Sequence, residues 1–290
     1  MTQPLKQTII KASEQTELLK LLLKEIPAKS RNNIKSILTR GQVSINNKVI
    51  KQYNHIVKQG QDVIINWNKE IPPEGLTIIY EDSDIIVIDK LSGLLSIATT
   101  KETQQTAYSI LTDFVKKRDH TNRIFIVHRL DKETSGLMLF AKSQAIKDKL
   151  QNNWKEVVTE RSYIVAVEGV VEKDEGVISS WLTEGKNMIV YSSRTPNNGK
   201  KAITHYRVLN RKNNYSLLEV TLKTGRKNQI RVHMQDLKHS VVGDKKYGAI
   251  TNPINRLGLH AHVLAFKHPA TGLETRFQTD IPKEFKKLFK

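Results

Sequence analysis

The stretch VHRLDKETSGLMLFAK, from Val127 to Lys142, places a charged centre before a strongly apolar end. The large apolar residues Leu137–Phe140 follow a turn-forming Thr-Ser-Gly, which predicts a buried strand. A further apolar stretch, Ile124–Val127, precedes Asp131, so the Asp131 carboxylate is expected to be partly desolvated. Burial favours the neutral form of an acid, and a carboxylate kept ionised there needs a cation or several donors nearby. Asp131 is therefore a candidate nucleophile, with the capping of a turn as the alternative.

Beyond this stretch, segments typical of strands outnumber those typical of helices from residue 77 onwards. The predicted strands are Thr77–Tyr80, Ile85–Ile88, Leu137–Phe140, Tyr163–Val167, Ala202–Val208, Ser216–Leu222 and His262–Phe266. The predicted helices are Thr106–Lys117, Ser143–Trp154, Asn228–Leu237 and Pro282–Phe289. Because strands and helices do not alternate regularly, the pattern predicts an α+β domain on a mixed, largely antiparallel sheet.

The first 70 residues predict a separate small αβ module. Leu18–Ile26 forms an apolar helical face that Pro27 ends. A second helix is predicted between Ser30, a typical N-cap residue, and Gly41. Alternating apolar residues after Gly41 predict short strands. The prolines and glycine at 72–75 then indicate a linker, so we expect one domain over residues 1–70 and another over 71–290.

The charge of the chain points to a polyanionic partner. Its 290 residues include 47 Lys and Arg against 29 Asp and Glu, a formal net charge of +18. Nucleic acid is the commonest such partner, and a merely soluble basic protein is the alternative. In the first 70 residues, the basic side chains predicted to lie off the apolar helix faces are Lys29, Arg31, Lys35 and Arg40. They predict a surface for RNA phosphates, unless they form an ordinary solvated helix face.

The composition also excludes several classes of protein. The chain has no cysteine, which rules out disulfides, thiolate zinc sites and cysteine nucleophiles, and suits the reducing cytoplasm. No run of about 18 apolar residues occurs, so no membrane span is expected. Lys20 and Lys24 interrupt the most apolar N-terminal segment, so no secretory signal is expected either.

Two further clusters contain residues suited to chemistry. In LKTGRKNQIRVHM, from Leu222 to Met234, Arg226 lies near a predicted helix start and Arg231 within the helix. The fork of an arginine suits a carboxylate or a phosphate, and a structural acid is the alternative partner of Arg231. His260 and His262 would face the same side of a strand, which could hold a metal ion, although core histidines are the commoner explanation.

The ordered motifs of the second domain resemble the RluA family of pseudouridine synthases. These motifs are YEDSDIIVIDKLSG at 80–93, HRLD at 128–131, RSYIVAVEG at 161–169, TGRKNQIR at 224–231, GDKKYG at 243–248 and RLGLHA at 256–261. The segment SRNNIKSILTRGQVSIN at 30–46, with GQDVII at 60–65, is similar to the S4 RNA-binding module. The resemblance implies an enzyme that isomerises uridine in structured RNA and needs neither cofactor nor metal.

The same resemblance implies a role for each candidate side chain. Asp131 would be the catalytic nucleophile, and Arg231 would keep it ionised through a charge-assisted pair. Tyr163 would stack on the target base and take part in proton removal at C5. Arg129 would enter the RNA helix where the base has left, and Leu259 would form an apolar wall of the uracil pocket. Arg226, close to a helix start, is a further candidate for substrate binding.

Some positions depart from the family pattern, and two other functions stay open. Leu91 replaces a proline, Asn47 replaces a glycine of the S4 module, and Asn228 replaces a histidine beside Arg231. The alternatives are a non-catalytic RNA-binding or ribosome-assembly protein and a metal-dependent hydrolase using His260 and His262. We expect a monomeric cytoplasmic enzyme that acts on RNA, first of all ribosomal RNA and otherwise transfer RNA, with no membrane partner.

Overall fold

The computed structural model describes residues 7–39, 41–46, 48–67, 75–98 and 105–290, with Ser36 described by its backbone alone. The chain divides into two compact units, Met1–Pro72 and Pro73–Lys290. The sequence places the boundary two residues earlier, after residue 70, within a stretch that lies outside the described residues. Each unit has its own hydrophobic core.

The first unit packs two helices against a small antiparallel sheet. Its elements are β1 Gln7–Lys11, β2 Thr16–Glu17, α1 Leu18–Glu25, α2 Arg31–Thr39, β3 Val43–Ile45, β4 Lys48–Val49, β5 Ile56–Val57 and β6 Asp62–Asn66. The sheet has the order β1-β6-β3-β4, and β2 pairs with β5. Leu18, Leu22 and Ile34 are fully buried in its core. Both predicted helices are present, whereas β1 was not predicted.

The termini of the second helix follow from local chemistry. The Asn33 backbone N–H donates to Ser30 Oγ at 3.3 Å, so Ser30 satisfies one of the free amides of the first turn. Gly41 follows the helix with φ +66°, a left-handed conformation that residues with a side chain rarely adopt. The cap and the stop of this helix are both those predicted from the sequence.

The second unit is built on one large mixed sheet. Its elements are β7 Leu76–Glu81, β8 Ile85–Lys90, α3 Ala107–Lys116, β9 Phe125–Ile126, β10 Ser135–Ala141, α4 Gln144–Asn152, α5 Trp154–Val157, β11 Val158–Glu168, β12 Glu175–Glu184, β13 Val190–Ser193, β14 Lys200–Lys212, β15 Tyr215–Leu222, α6 Gln229–Asp236, β16 Leu259–Lys267, β17 Glu274–Gln278 and α7 Lys283–Lys287. The strand order is β13-β12-β14-β15-β11-β16-β10-β8-β7, with β17 beside β16 and β9 beside β10. Within the described residues, β10 and β16 pair in parallel and the other pairs of this sheet are antiparallel. This confirms the mixed, largely antiparallel sheet.

The parallel pair at the centre of the sheet determines where the candidate residues meet. Ser135 and Gly136 of β10 pair with His260 and Ala261 of β16. Gly136 has φ +112°, and a Cβ atom there would overlap the backbone of Ala261. Glycine is therefore required for this close approach. It brings the turn before β10, which contains Asp131, next to the start of β16.

Candidate active site

A cavity of about 650 Å³ opens beside β10, β11, β16 and the start of α6. Six side chains predicted from separate parts of the sequence line it, namely Arg129, Asp131, Tyr163, Arg226, Arg231 and Leu259. Its volume lies within the range of small-molecule and cofactor sites. The fold therefore collects every candidate catalytic and substrate-binding residue of the second unit at one place.

Asp131 lies in the turn that leads into β10, with its side chain 38% exposed to solvent. Its backbone carbonyl accepts a hydrogen bond from the Thr134 N–H at 3.1 Å. Within the described part of the chain, no hydrogen bond reaches its carboxylate, so Asp131 does not cap the turn through its side chain. The carboxylate is partly buried, in line with the expected partial desolvation, and it lines the cavity with its oxygens free to meet a substrate.

Arg231 has a different principal partner from the one predicted. Its Nε and Nη2 donate to the two carboxylate oxygens of Asp244, each at 2.7 Å. Its Nη1 lies 3.8 Å from Asp131 Oδ2, which is an ion-pair distance but too long for a hydrogen bond. Arg231 and Asp131 thus lie at the distance of an ion pair, as predicted, while the fork of Arg231 is occupied by Asp244, the structural acid that was the alternative. Asp131 is held near the positive charge without being bonded to it.

The electrostatics of this cluster keep Arg231 charged. Burial on its own lowers the pKa of Arg231, but the hydrogen bonds and the charge of Asp244 outweigh it and the pKa is raised. The side chain of Asp244 is only 1% exposed, so its ion pair lies in a poorly screened environment. The guanidinium also lies over the Tyr247 ring, 4.8 Å from its centroid. A fixed positive charge therefore adjoins the Asp131 carboxylate.

Asn228 joins Arg231 to Tyr247. Its Oδ1 accepts from Arg231 Nη1 at 3.2 Å, and its Nδ2 donates to the Tyr247 hydroxyl at 2.9 Å. Asn228 has φ +54° at the start of α6, a conformation that asparagine tolerates better than most residues. In the place of the family's histidine, an amide with one donor and one acceptor thus completes the network.

Tyr163 and Leu259 form the apolar side of the cavity. Tyr163 of β11 pairs with Val220 on one side and Ala261 on the other, which fixes its position in the sheet. Burial raises the pKa of Tyr163, and the charge of Arg161 opposes this only in part, so the phenol is neutral at neutral pH. Leu259 is the first residue of β16 and is buried. Together they offer a flat ring and an aliphatic wall of the kind that binds a planar base.

The side chains of the two other candidate arginines differ in how firmly hydrogen bonds hold them. Arg226 donates from its backbone N–H to Gln229 Oε1 at 3.0 Å and from Nε to the Lys201 carbonyl at 3.1 Å. Arg129 is exposed beside Asp131 at the cavity. Arg226 is thus held in place at the cavity edge, whereas Arg129 extends towards solvent.

The motif at 80–93 supports the turn that contains Asp131, a role not predicted from the sequence. The Lys90 ammonium is fully buried and donates to the carbonyls of Leu91, Leu94 and Lys132 at 3.0, 2.7 and 3.1 Å. Burial lowers the pKa of Lys90 to about 8, against the opposing charges of nearby acids. The exposed Leu91, which replaces the family's proline, leaves this arrangement intact because only its carbonyl takes part.

Ser96 completes this support on the other side of Asp131. Its hydroxyl donates to the Leu130 carbonyl at 2.7 Å and accepts from the Leu130 N–H at 3.2 Å. The Gly93 N–H also donates to the Lys132 carbonyl at 2.9 Å. The residues on both sides of Asp131 are therefore bonded to the segment after β8, which limits the movement of the carboxylate.

The structure does not join His260 and His262 in a metal site. His260 Nδ1 bonds to Ser135 Oγ at 2.7 Å and Nε2 to Thr279 Oγ1 at 2.8 Å, so both ring nitrogens are engaged. His262 is buried and its ring centroid lies 6.4 Å from that of His260. In the described ranges, the one cluster with metal-ligand spacing is elsewhere, at Asp82, Asp84 and His268. The hydrolase alternative has no geometric support at these histidines.

Comparisons with known proteins identify the class to which this site belongs. A family model described as RNA pseudouridylate synthase matches residues 84–236. An uncharacterized RNA pseudouridine synthase of Aquifex aeolicus is 33% identical, covering 95% of this chain and 93% of that protein. Ribosomal large subunit pseudouridine synthase D of Neisseria meningitidis serogroup B is 32% identical, covering 91% and 75% respectively. The solved structure of human RNA pseudouridylate synthase domain containing 4 shares the fold, with a TM-score of 0.60 and 24% identity over 72% of this chain and 90% of that one.

The chain belongs to the RNA pseudouridylate synthase family. It is therefore an isomerase that converts uridine to pseudouridine in RNA, as the resemblance of its motifs to the RluA type predicted. The alternative of a protein that binds RNA without turnover is not favoured. Among the described residues, no helix is long and apolar enough to cross a membrane.

Proposed function

We propose that the isomerisation takes place in the 650 Å³ cavity, with Asp131 as the nucleophile. The observation that carries the proposal is the Asp131 carboxylate itself, which faces the cavity unbonded, 3.8 Å from a guanidinium fixed by another acid. A guanidinium that lies close without a hydrogen bond leaves the lone pairs of the carboxylate available for attack. This arrangement suits a nucleophile better than a structural acid.

The net reaction moves one bond and one proton. Asp131 attacks C1′ of the target uridine and displaces N1, so the N1–C1′ bond breaks as an Asp131–C1′ bond forms. The uracil turns over, and C5 then attacks C1′, which breaks the Asp131–C1′ bond and frees the carboxylate. The proton on C5 is lost and N1 gains one, so the product is an isomer. Tyr163 supplies a stacking surface and takes part in removal of the C5 proton, while Leu259 borders the uracil and Arg226 binds the substrate at the cavity edge.

A base within a paired stem must leave the stack before it can reach the cavity, at a cost of roughly a few kcal/mol. Arg129 is placed to compensate for this cost. It is exposed beside Asp131, so its side chain can enter the space that the base vacates. Its cation would also adjoin the RNA phosphates.

The first unit is proposed to be an S4-like RNA-binding domain, and the second the catalytic domain. Lys29, Arg31 and Lys35 are exposed, while Arg40 lies outside the described residues. The Lys29 ammonium lies 5.7 Å from the Trp67 ring and that of Lys35 5.2 Å from the Tyr53 ring, and cations beside aromatic rings suit RNA binding.

The proposal also covers the substrate RNA, the oligomeric state and the location of the enzyme. We propose ribosomal RNA as the substrate, supported by the relative named ribosomal large subunit pseudouridine synthase D, with transfer RNA as the alternative. We also propose a monomer that needs neither cofactor nor metal and acts in the cytoplasm, a compartment that the cysteine-free composition suits.

The test compares one variant that should lose turnover but keep RNA affinity with another that should lose RNA affinity but keep turnover. Asp131→Asn keeps the shape of the side chain but cannot act as a nucleophile, so RNA affinity should stay within about twofold and tritium release from C5-labelled RNA should cease. The combined variant Lys29→Gln, Arg31→Gln and Lys35→Gln should bind more weakly, with a salt slope lower by about 2 to 3, yet turn over normally at saturating RNA. Normal tritium release by Asp131→Asn would remove the nucleophile assignment.

The RNA target is tested separately. Carbodiimide-reactive pseudouridines should be mapped in total cellular RNA from cells with and without this protein. Loss of one or more sites in ribosomal RNA is expected, whereas a loss confined to transfer RNA would overturn the proposed substrate.

A further inference from the structure

A second cavity, of about 380 Å³, adjoins the candidate active site. The two cavities share four lining residues, Trp154, Arg161, Gly225 and Arg226. The rest of the second lining is polar and includes Lys155, Lys223 and one acid, Glu156. A chain with one nucleotide in the first cavity could therefore continue into the second across this shared wall.

Arg161 is the unusual residue of the shared wall. It lies on β11, two residues before Tyr163, and it is half-buried. Among the residues that the structure describes, none accepts a hydrogen bond from its guanidinium or forms an ion pair with it. Burial lowers the pKa of Arg161, with only a weak opposing effect from Tyr163. A partly desolvated cation without a counter-ion costs folding free energy, so a partner absent from the free protein is the natural reason to retain it.

Gly225 makes room for this guanidinium. A Cβ atom at position 225 would lie 2.6 Å from Arg161 Nη1, well inside van der Waals contact. Gly225 does not have a left-handed backbone, so the site uses its missing side chain and not its conformational freedom. The TGR sequence at 224–226 thus keeps the charged end of Arg161 in the wall common to both cavities.

The neighbours of Arg161 do not supply a negative charge. His128 has a pKa of about 3, lowered by burial and then by the charge of Arg161, so its ring is neutral. His128 packs on Trp154, with ring centroids 4.9 Å apart. The neutral phenol of Tyr163 completes the surroundings. An anion that reaches this wall therefore meets the guanidinium of Arg161, which has no ion-pair partner among the described residues, beside the Arg226 side chain.

We propose that Arg161 binds a backbone phosphate adjoining the target uridine, and that the second cavity receives the neighbouring nucleotide. The planar fork of arginine matches two phosphate oxygens, and RNA supplies a phosphate on each side of every internal nucleotide. The proposal rests on the reaction taking place beside Asp131, since Arg161 borders that cavity. It assigns the substrate a second contact point that fixes the direction of the chain through the site.

The test uses a single-stranded oligouridylate of ten nucleotides as the probe, with binding measured over a series of salt concentrations. Arg161→Met should weaken binding by about tenfold and lower the salt slope by about 0.7, the value for one lost phosphate contact on single-stranded RNA. Arg161→Lys should keep the slope, because it keeps the charge. The matched control is Lys173→Gln, which removes one exposed charge in the loop after β11 and away from both cavities, and it should change neither quantity.

Thermal unfolding separates this role from a structural one. Because the free protein offers Arg161 no partner, Arg161→Met should leave the melting temperature unchanged or raise it. A lower melting temperature with unchanged oligouridylate affinity would assign Arg161 a structural role and overturn the proposal, as would unchanged affinity and slope alone. Asp131→Asn should bind the probe like the wild type, so turnover by that variant tests the nucleophile without bearing on Arg161.

Discussion

At the level of single side chains, a positive charge lies close to the Asp131 carboxylate, yet no hydrogen bond among the described residues occupies its oxygens. Arg231 donates two hydrogen bonds to Asp244 and one to Asn228, so its position is fixed before any substrate binds. Its charge acts on Asp131 from 3.8 Å through space. Preorganised charge of this kind stabilises an ion without reorganisation during the reaction. A direct hydrogen bond would instead lower the nucleophilicity of the carboxylate.

Tyr163 permits a prediction that separates stacking from proton transfer. Tyr163→Phe keeps the ring and removes only the hydroxyl, so RNA affinity should stay within about twofold. Turnover should fall by about 100-fold or more if the hydroxyl takes part in proton removal at C5. Single-turnover tritium release measures this, with Tyr206→Phe, a buried tyrosine outside the cavity, as the control. Equal rates for Tyr163→Phe and wild type would limit Tyr163 to stacking.

The sequence identified the candidate residues better than their partners. The six cavity residues come from four motifs, and they meet because β16 pairs with β10 on one side and with β11 on the other. Asp244 belongs to the quoted GDKKYG motif, yet no local pattern indicates that it binds Arg231, 13 residues earlier. Arg161 was likewise within a quoted motif without a role. Pairing between distant side chains depends on tertiary geometry, which periodicity does not encode.

At the level of strands and loops, the position of Asp131 depends on two neighbouring segments. The segment after β8 holds the turn through Lys90 and Ser96, and the parallel pairing of β10 with β16 holds the strand that follows. The Lys90 ammonium satisfies three carbonyls of two separate segments. Loops are ordinarily the more mobile part of a fold, so this bonding explains how the Asp131 carboxylate can be held in place on one.

Gly136→Ala should disrupt that pairing. Its Cβ would overlap the Ala261 backbone, and the backbone cannot yield without separating β10 from β16. We expect the free energy of unfolding to fall by more than about 3 kcal/mol, or the protein not to fold. Gly272→Ala is the control, because Gly272 also has positive φ but open space around it, and should cost about 1 kcal/mol. If urea unfolding shows the same loss of free energy for both variants, the backbone strain at positive φ, and not the overlap with Ala261, causes the destabilisation.

The strands that the sequence did not predict have either an irregular apolar pattern or a short length. Buried β8 and β10 stand out as continuous apolar runs, because both faces of the sheet are covered there. β12 has one exposed face, but the polar Ser180 is buried and the apolar Val177 is exposed, so its polar and apolar residues do not alternate regularly. β1, β13 and β17 are at most five residues long and gain their stability from partners distant in sequence. For such strands tertiary pairing decides, and local propensity gives little signal.

For the whole chain, net charge and buried histidines determine how stability and binding respond to the solvent. The +18 charge favours association with RNA and makes it sensitive to salt, independently of any single contact. The buried histidines of the second unit must stay neutral for that unit to remain folded, so its stability depends on pH. His128, His233 and His260 have pKa values of about 3, 4 and 3, lowered first of all by burial.

These pKa values predict a loss of stability as the pH falls below 6.5. Each of the three histidines binds a proton in the unfolded chain near pH 6.5 but in the folded chain only near pH 3 to 4, so unfolding takes up protons in that window. The free energy of unfolding should therefore fall by up to about 1.4 kcal/mol per pH unit for each histidine. His260→Asn keeps a donor and an acceptor for Ser135 and Thr279 but cannot titrate. The pH dependence of its free energy of unfolding should therefore correspond to about one proton fewer taken up on unfolding. Urea unfolding between pH 7 and 5, above the range where carboxylates titrate, measures both slopes, and an unchanged slope in His260→Asn would show that His260 is already charged in the folded protein.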